Sequence, residues 1–276
     1  LLRILACDLR PTSGVARVAG VDVIDDPHAV RKKVGYLPET PLVYGDMTVG
    51  DYLEFAGRIK GLDATEVAQR IPLVEEAAQL THVHGEYIRH LSHGYRQRVG
   101  VAQAIIHDPE ILILDEPTNG LDPVQIRQMR GLIGDLGQSY TILISSHILT
   151  EISETCDEII ILDAGEIVAS GTEKELSGRV LGSSGVTVEL RMSKGNSDQE
   201  FSQAVVRLLG TLPGVREAEL IDEGAESKTF RAEGEGDLPA PVCRALVEAG
   251  YDVVRLARVR RELERVFVEL VKGPEA

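Results

Sequence analysis

Two adjacent carboxylates, Asp115 and Glu116, close the run Ile-Leu-Ile-Leu at the start of "ILILDEPTNGLDP", which spans Ile111 to Pro123. Four apolar residues without alternation predict a central parallel strand buried on both faces. The carboxyl end of such a strand is where open α/β sheets bind ligands, and acids placed there can hold Mg²⁺ on a nucleotide and orient a water. A strand that simply ends in two solvated acids is the alternative on these residues alone.

Two flanking segments supply context. Upstream, "LSHGYRQRVGVAQAI" begins at Leu91, with Ser92 in N-cap position and Val99, Ala102, Ile105 and Ile106 on one face of the helix that follows. Ser92 and Gly94 therefore stand at a helix N-terminus, where unpaired N–H groups and the positive dipole end favour an anion. Ser92 has a second reading as a plain cap. Downstream, "YTILISSH" predicts another apolar strand that ends at His147. An imidazole there can hydrogen-bond a phosphate or its attacking water, or be an ordinary loop residue.

The order and spacing of these segments resemble the ATP-binding subunit of an ABC transporter. "LSHGYRQ" resembles the family's signature loop, "ILILDEP" its Walker B strand, "NGLD" its D-loop and "SSH" its switch histidine. "GYLPE" (Gly35 to Glu39) resembles the Q-loop, and "LLRILACDLRPTSGVARVAG" the helix and strand that follow the Walker A loop. The resemblance covers about the first two thirds of the chain, and the "GYLPE" and "GYRQR" variants are most similar to export-type members, gliding-motility and sodium-extrusion exporters among them.

The resemblance implies a P-loop NTPase-like α/β ABC ATPase domain over residues 1–179, with a helical subdomain at about 41–106, and ATP and Mg²⁺ as cofactors. Asp115 would bind Mg²⁺, Glu116 would polarise the attacking water, and His147 would contact the γ-phosphate. Ser92 and Gly94 would bind the γ-phosphate held by a second subunit, in a homodimer or a paired ABC subunit, and Asp122 would couple the two sites. Glu39 would join Asp115 at the metal. The partner is a membrane permease, which places the chain in the cytoplasm at the inner face of the membrane.

Three features depart from the family pattern. Glu39 stands where Gln is usual, which puts an anion beside Mg²⁺. His93 and Tyr95 stand where Gly and Gln are usual. The residues before "LLRIL" should be a Gly-rich loop ending in Gly-Lys-Ser/Thr, whose N–H groups cradle phosphates and whose Lys neutralises charge. A sequence truncated after that loop is the expectation, and residues 1–276 alone are expected to bind ATP poorly.

Composition fits this outline. The 276 residues, 43% apolar and 26% charged, suit a globular chain of two domains. A net charge of −15 argues against a nucleic-acid partner. Cys7, Cys156 and Cys243 are far apart and odd in number, so neither a disulfide framework nor a zinc spacing is present. Leu42, Val43, Tyr44 and Met47 form a loop cluster that either packs within the helical subdomain or docks a partner. Beyond "GRVLGSSG" the pattern reads strand, helix, strand, strand, helix, strand, which predicts a ferredoxin-like accessory domain over 186–276. A last helix would carry Leu263, Val266, Phe267 and Leu270. Soluble ABC proteins of translation or repair would show a second cassette or a long coiled coil, which this sequence lacks. The remaining alternative to an ATPase is a non-hydrolysing ABC-type interaction or regulatory module.

Overall fold

The computed structural model describes residues 1–180, 184–191, 198–224, 227–234 and 236–258, and the chain divides into two compact units, Leu1–Thr155 and Cys156–Ala276. In the first unit the order is α1 (Leu2–Leu5), β1 (Arg17–Val18), β2 (Val21–Asp22), α2 (Pro27–Lys33), β3 (Val34–Leu37), α3 (Val49–Ile59) and α4 (Ala64–Ala77). There follow α5 (His93–Ile105), β4 (Ile111–Asp115), α6 (Pro123–Gly137), β5 (Thr141–Ser145) and α7 (Leu149–Thr155).

Strands β3, β4 and β5 form a parallel sheet with β4 in the centre. Its side chains serve two cores. Leu112 and Leu114 join the cluster built with α3, α4, α5 and α6, while Ile113 joins Val30, Val34 and Ala6 on the other face. That is the physical reason the Ile-Leu-Ile-Leu run shows no polar alternation: both faces are covered. Helix α5 lies so close to β3 that a Cβ on Gly35 would stand 2.2 Å from the Ala104 carbonyl oxygen, so no larger residue fits there.

Helices α3 and α4 pack on the same α5. Thr48 caps α3 by accepting from Asp51 N–H at 3.2 Å, and Asp63 with Glu66 forms a capping box at the start of α4. From α4, Arg70 donates to the carbonyls of Ile105 and Ile106 and to Asp108, which satisfies orphan acceptors at the end of α5. The Leu42–Met47 cluster is divided by the structure: Val43 and Met47 pack on the core, whereas Leu42 is 81% and Tyr44 56% exposed.

The second unit begins with an antiparallel hairpin, β6 (Ile159–Asp163) and β7 (Glu166–Gly171), turned at Ala164 and Gly165, both at positive φ. Next come α8 (Glu173–Val180), β8 (Ser184–Arg191), α9 (Asp198–Gly210), β9 (Val215–Glu223), β10 (Ser227–Gly234), α10 (Pro239–Glu248) and β11 (Val253–Arg258). The last four strands form one antiparallel sheet in the order β11-β8-β10-β9. Val186, Val188, Leu190, Phe230 and Ala232 from the sheet meet Phe201, Val205, Leu209, Val242 and Leu246 from α9 and α10. The segment with Leu263, Val266, Phe267 and Leu270 lies outside the described residues. Among the described residues no helix is long and apolar enough to cross a membrane.

Candidate functional site

The chemistry-bearing residues gather where β4 and β5 end. Asp115 is the last residue of β4, and parallel register sets Ser145 of β5 opposite it. The Ser145 hydroxyl donates to Asp115 Oδ1 at 2.6 Å and accepts the Glu116 N–H at 3.0 Å. One hydroxyl thus fixes both acids. Glu116 has φ of +48°, a left-handed conformation that costs a non-glycine residue about 1–3 kcal/mol and that the Ser145 bond to its amide helps to hold. Its Oε2 lies 2.9 Å from His147 Nδ1, and because a carboxylate only accepts, Nδ1–H donates. The Glu116 side chain is largely covered and that of His147 is 68% exposed, so the acid is screened from solvent while the imidazole projects.

A braced turn follows Glu116. Asn119 N–H donates to the Glu116 carbonyl and Leu121 N–H to that of Thr118. Thr118 Oγ1 donates to Glu151 of α7 at 2.5 Å, in a buried position. Asn119 reaches two further sequence segments. Its amide donates to Glu39 Oε1 at 3.0 Å, and its carbonyl lies 3.1 Å from His93 Nε2. Gln97 of α5 donates to the Glu39 carbonyl at 3.4 Å. Gly94 faces Gln125 of α6, whose Oε1 would lie 2.8 Å from an added Cβ.

The structure brings Asp115, Glu116 and His147 into one hydrogen-bonded cluster and ties Glu39 to the turn that follows them. Ser92 caps α5 by accepting from Tyr95 N–H at 3.4 Å. Asp122 caps α6 by accepting from Val124 and Gln125 N–H at 2.9 Å each. Ser145 and Asn119 are site residues that the motifs alone did not single out. The signal for Ser145 was the Ser-Ser pair in "ISSH", whose meaning depends on strand register.

Among the described residues no group of three or more His, Cys, Asp or Glu side chains forms a metal cluster. Mg²⁺ differs from most metals in needing only one or two carboxylates, with waters and substrate phosphates filling the octahedron. The hard oxygens of Asp115 and Glu39 suit that demand, and each carboxylate spends one oxygen on a neutral donor and keeps the other. The residues present therefore fit a metal that arrives with a polyphosphate.

The ABC transporter family model matches residues 1–119. The bacitracin transport ATP-binding protein BcrA of Bacillus licheniformis is 31% identical over 274 residues, which are 99% of this chain and 84% of that protein. The chain belongs to the ABC transporter ATP-binding protein family. An uncharacterized ABC transporter ATP-binding protein of Nostoc sp. is 40% identical over 181 residues, 64% of this chain. The chain spans about half the length of that relative, 53%. Among solved structures, an ATP binding subunit of an ABC transporter superposes with a TM-score of 0.57 at 28% identity, covering 64% of this chain and 75% of that one. Residues 1–155 of this ABC ATP-binding protein thus carry a P-loop NTPase-type α/β fold, and the Asp115–Glu116–His147 cluster lies within it.

Proposed function

We propose that this protein is the ATP-hydrolysing subunit of an export-type ABC transporter, and that it drives a separate membrane permease from the cytoplasmic face. The observation that carries the reading is the cluster at the ends of β4 and β5: Asp115 held by Ser145, and Glu116 held by His147. When bound, Mg²⁺ supplies charge neutralisation between phosphate oxygens. Asp115 and Glu39 offer it their free oxygens. Glu116 accepts a hydrogen bond from the attacking water and so fixes its direction. His147 gives its Nδ1–H to Glu116, so only the doubly protonated imidazolium, which carries an N–H on both ring nitrogens, would also donate from Nε2 to the γ-phosphate.

The turn at Ser92 to Gly94 supports a shared site. It stands at the N-terminus of a 13-residue helix, and its His93 is linked to its own subunit's Glu39 through Asn119. A triphosphate brought by a second copy, or by a paired subunit, would meet Ser92 and Gly94 head to tail, as phosphate meets any exposed helix N-terminus. Permease docking is assigned to the exposed apolar surface formed by Leu42, Tyr44 and Phe55, where Tyr44 packs edge-on against Tyr52 and Phe55. The antiparallel β8–β11 sheet, with α9 and α10 packed on it, is read as a ferredoxin-like accessory domain over 186–276.

Residues 1–276 contain no Gly-Lys-Ser/Thr sequence. The test therefore uses the chain with a Gly-rich phosphate loop placed ahead of Leu1, and residues 1–276 for comparison. The longer protein should release phosphate from Mg²⁺-ATP. Glu116→Gln should keep ATP binding, form an ATP-dependent dimer in light scattering, and lose turnover by at least about a hundredfold, since removal of a water-orienting group leaves the phosphate contacts intact. Residues 1–276 alone should give no calorimetric heat with micromolar ATP. Undiminished phosphate release by Glu116→Gln would overturn the role of Glu116.

A further inference from the structure

His93 occupies the first turn of α5, between the two residues assigned to the partner's phosphate. Its Nε2 lies 3.1 Å from the Asn119 carbonyl, and because a carbonyl only accepts, Nε2–H donates. The same ring sits over Gly120, where an added Cβ would come within 3.2 Å of Nε2 and where φ is +73°, so the turn requires glycine there. From the other side of the same residue, the Asn119 amide donates to Glu39 Oε1 at 3.0 Å, and Asn119 N–H donates to the Glu116 carbonyl at 3.1 Å. One residue therefore receives a bond from the signature turn and donates to the Glu39 carboxylate and to the main-chain carbonyl of Glu116.

We infer that His93 is a positioning residue that couples the two nucleotide sites of a dimer. A triphosphate seated on Ser92 and Gly94 fixes the first turn of α5. His93 then fixes Asn119, and Asn119 sets Glu39 and the Glu116 turn. A glycine at position 93 has no side chain to donate this bond, so the departure from the family pattern adds a connection. The inference rests on the shared-site reading above. Spatial continuity alone does not establish coupling, so a double-mutant cycle is the appropriate measurement.

The experiment uses the phosphate-loop-bearing protein and compares His93→Ala, His93→Gln, Asn119→Ala and the His93→Ala/Asn119→Ala double variant. Urea midpoints serve to confirm that each variant folds. The ATP dependence of hydrolysis should be sigmoidal in the parent, with the Hill coefficient falling toward one in His93→Ala and Asn119→Ala. The double variant should fall no further than either single one. His93→Gln, which keeps a side-chain N–H donor, should recover part of the loss. In parallel, ¹⁵N histidine spectra of residues 1–276 should show the Nε2–H form at His93. Effects of the two single variants that add, a Hill coefficient unchanged in His93→Ala, or an Nδ1–H tautomer at His93 would each overturn the coupling. An Glu116→Gln protein that forms no ATP-dependent dimer would remove the shared site and the coupling together, whereas a normal dimer with unaltered cooperativity in His93→Ala removes the coupling alone.

Discussion

Gly35 and Gly94 both face crowded space, and the nature of the neighbour separates them. An added Cβ on Gly35 would meet the backbone carbonyl of Ala104 at 2.2 Å, in a helix that cannot retreat from the sheet without opening the core. Gly35→Ala is expected to cost about 1–3 kcal/mol or more, the range for overpacked cores, read as a lower urea midpoint. At Gly94 the close atom is Gln125 Oε1, the end of a flexible side chain. Gly94→Ala is therefore expected to keep the parent midpoint to within about 1 kcal/mol, and an equal loss at both positions would contradict this account. The same contrast explains which site residues were legible in the sequence. Asp115, Glu116 and His147 were, because an apolar strand announces where its carboxyl end lies. Ser145 and Asn119 were not, because one acts through inter-strand register and the other through a turn that joins three segments distant in sequence. His93 was visible only as a departure from a pattern, and its partner is a backbone carbonyl that no side-chain motif encodes.

Helix α5 carries a titratable residue just beyond its end. His107 Nε2–H donates to the Val34 carbonyl at 3.2 Å, and its Nδ1 is buried without a partner among the described residues. Burial first, and then the charge of Lys60, push its pKa down from 6.5 to about 4. An unfolded chain takes up a proton near pH 6.5 that the folded one refuses until about pH 4, so this contribution to stability is complete above pH 6.5 and is lost as pH falls through that window. The full shift corresponds to up to about 3 kcal/mol, reduced by the water that reaches the half-buried ring. Comparing unfolding midpoints of the parent and His107→Gln from pH 7 to pH 4 isolates the effect from that of the carboxylates. The parent should lose more stability over this range, and parallel pH profiles would sink the assignment. At this scale β4 and α5 were legible, since an apolar run and a helical apolar face marked them and Ser92 marked the start of α5; the Thr48 and Asp63 caps emerged only from the structure. The division of the Leu42–Met47 cluster was not, because which side chains turn inward is decided by the packing of α3 and α5 rather than by the loop's own sequence.

At the scale of the whole chain, two compact units meet at Thr155 and Cys156, while the change of sequence character falls near residue 180. The β6–β7 hairpin and α8 lie between those two boundaries. Among the described residues, the buried core of the four-stranded sheet runs from Val186 to Leu246. Its neighbouring strands all pair antiparallel, and α9 and α10 pack on it. Lys228, 2% exposed, is bonded to Ser202 at 3.1 Å and Glu223 at 3.3 Å, so its buried charge is compensated inside the same sheet-and-helix layer. Among the described residues that core contains none before Val186, and chains of this size commonly fold alone. A fragment of residues 184–276 is therefore expected to unfold cooperatively in urea, with near- and far-ultraviolet circular dichroism changing together. The discriminating comparison is a fragment of residues 156–276. Equal midpoints for the sheet in both fragments would assign the hairpin and α8 to the ATP-binding domain, as the sequence expectation has it. A shorter fragment that fails to fold beside a longer one that does would instead make the hairpin and α8 part of the accessory domain's own structure, and would move the domain boundary to Thr155.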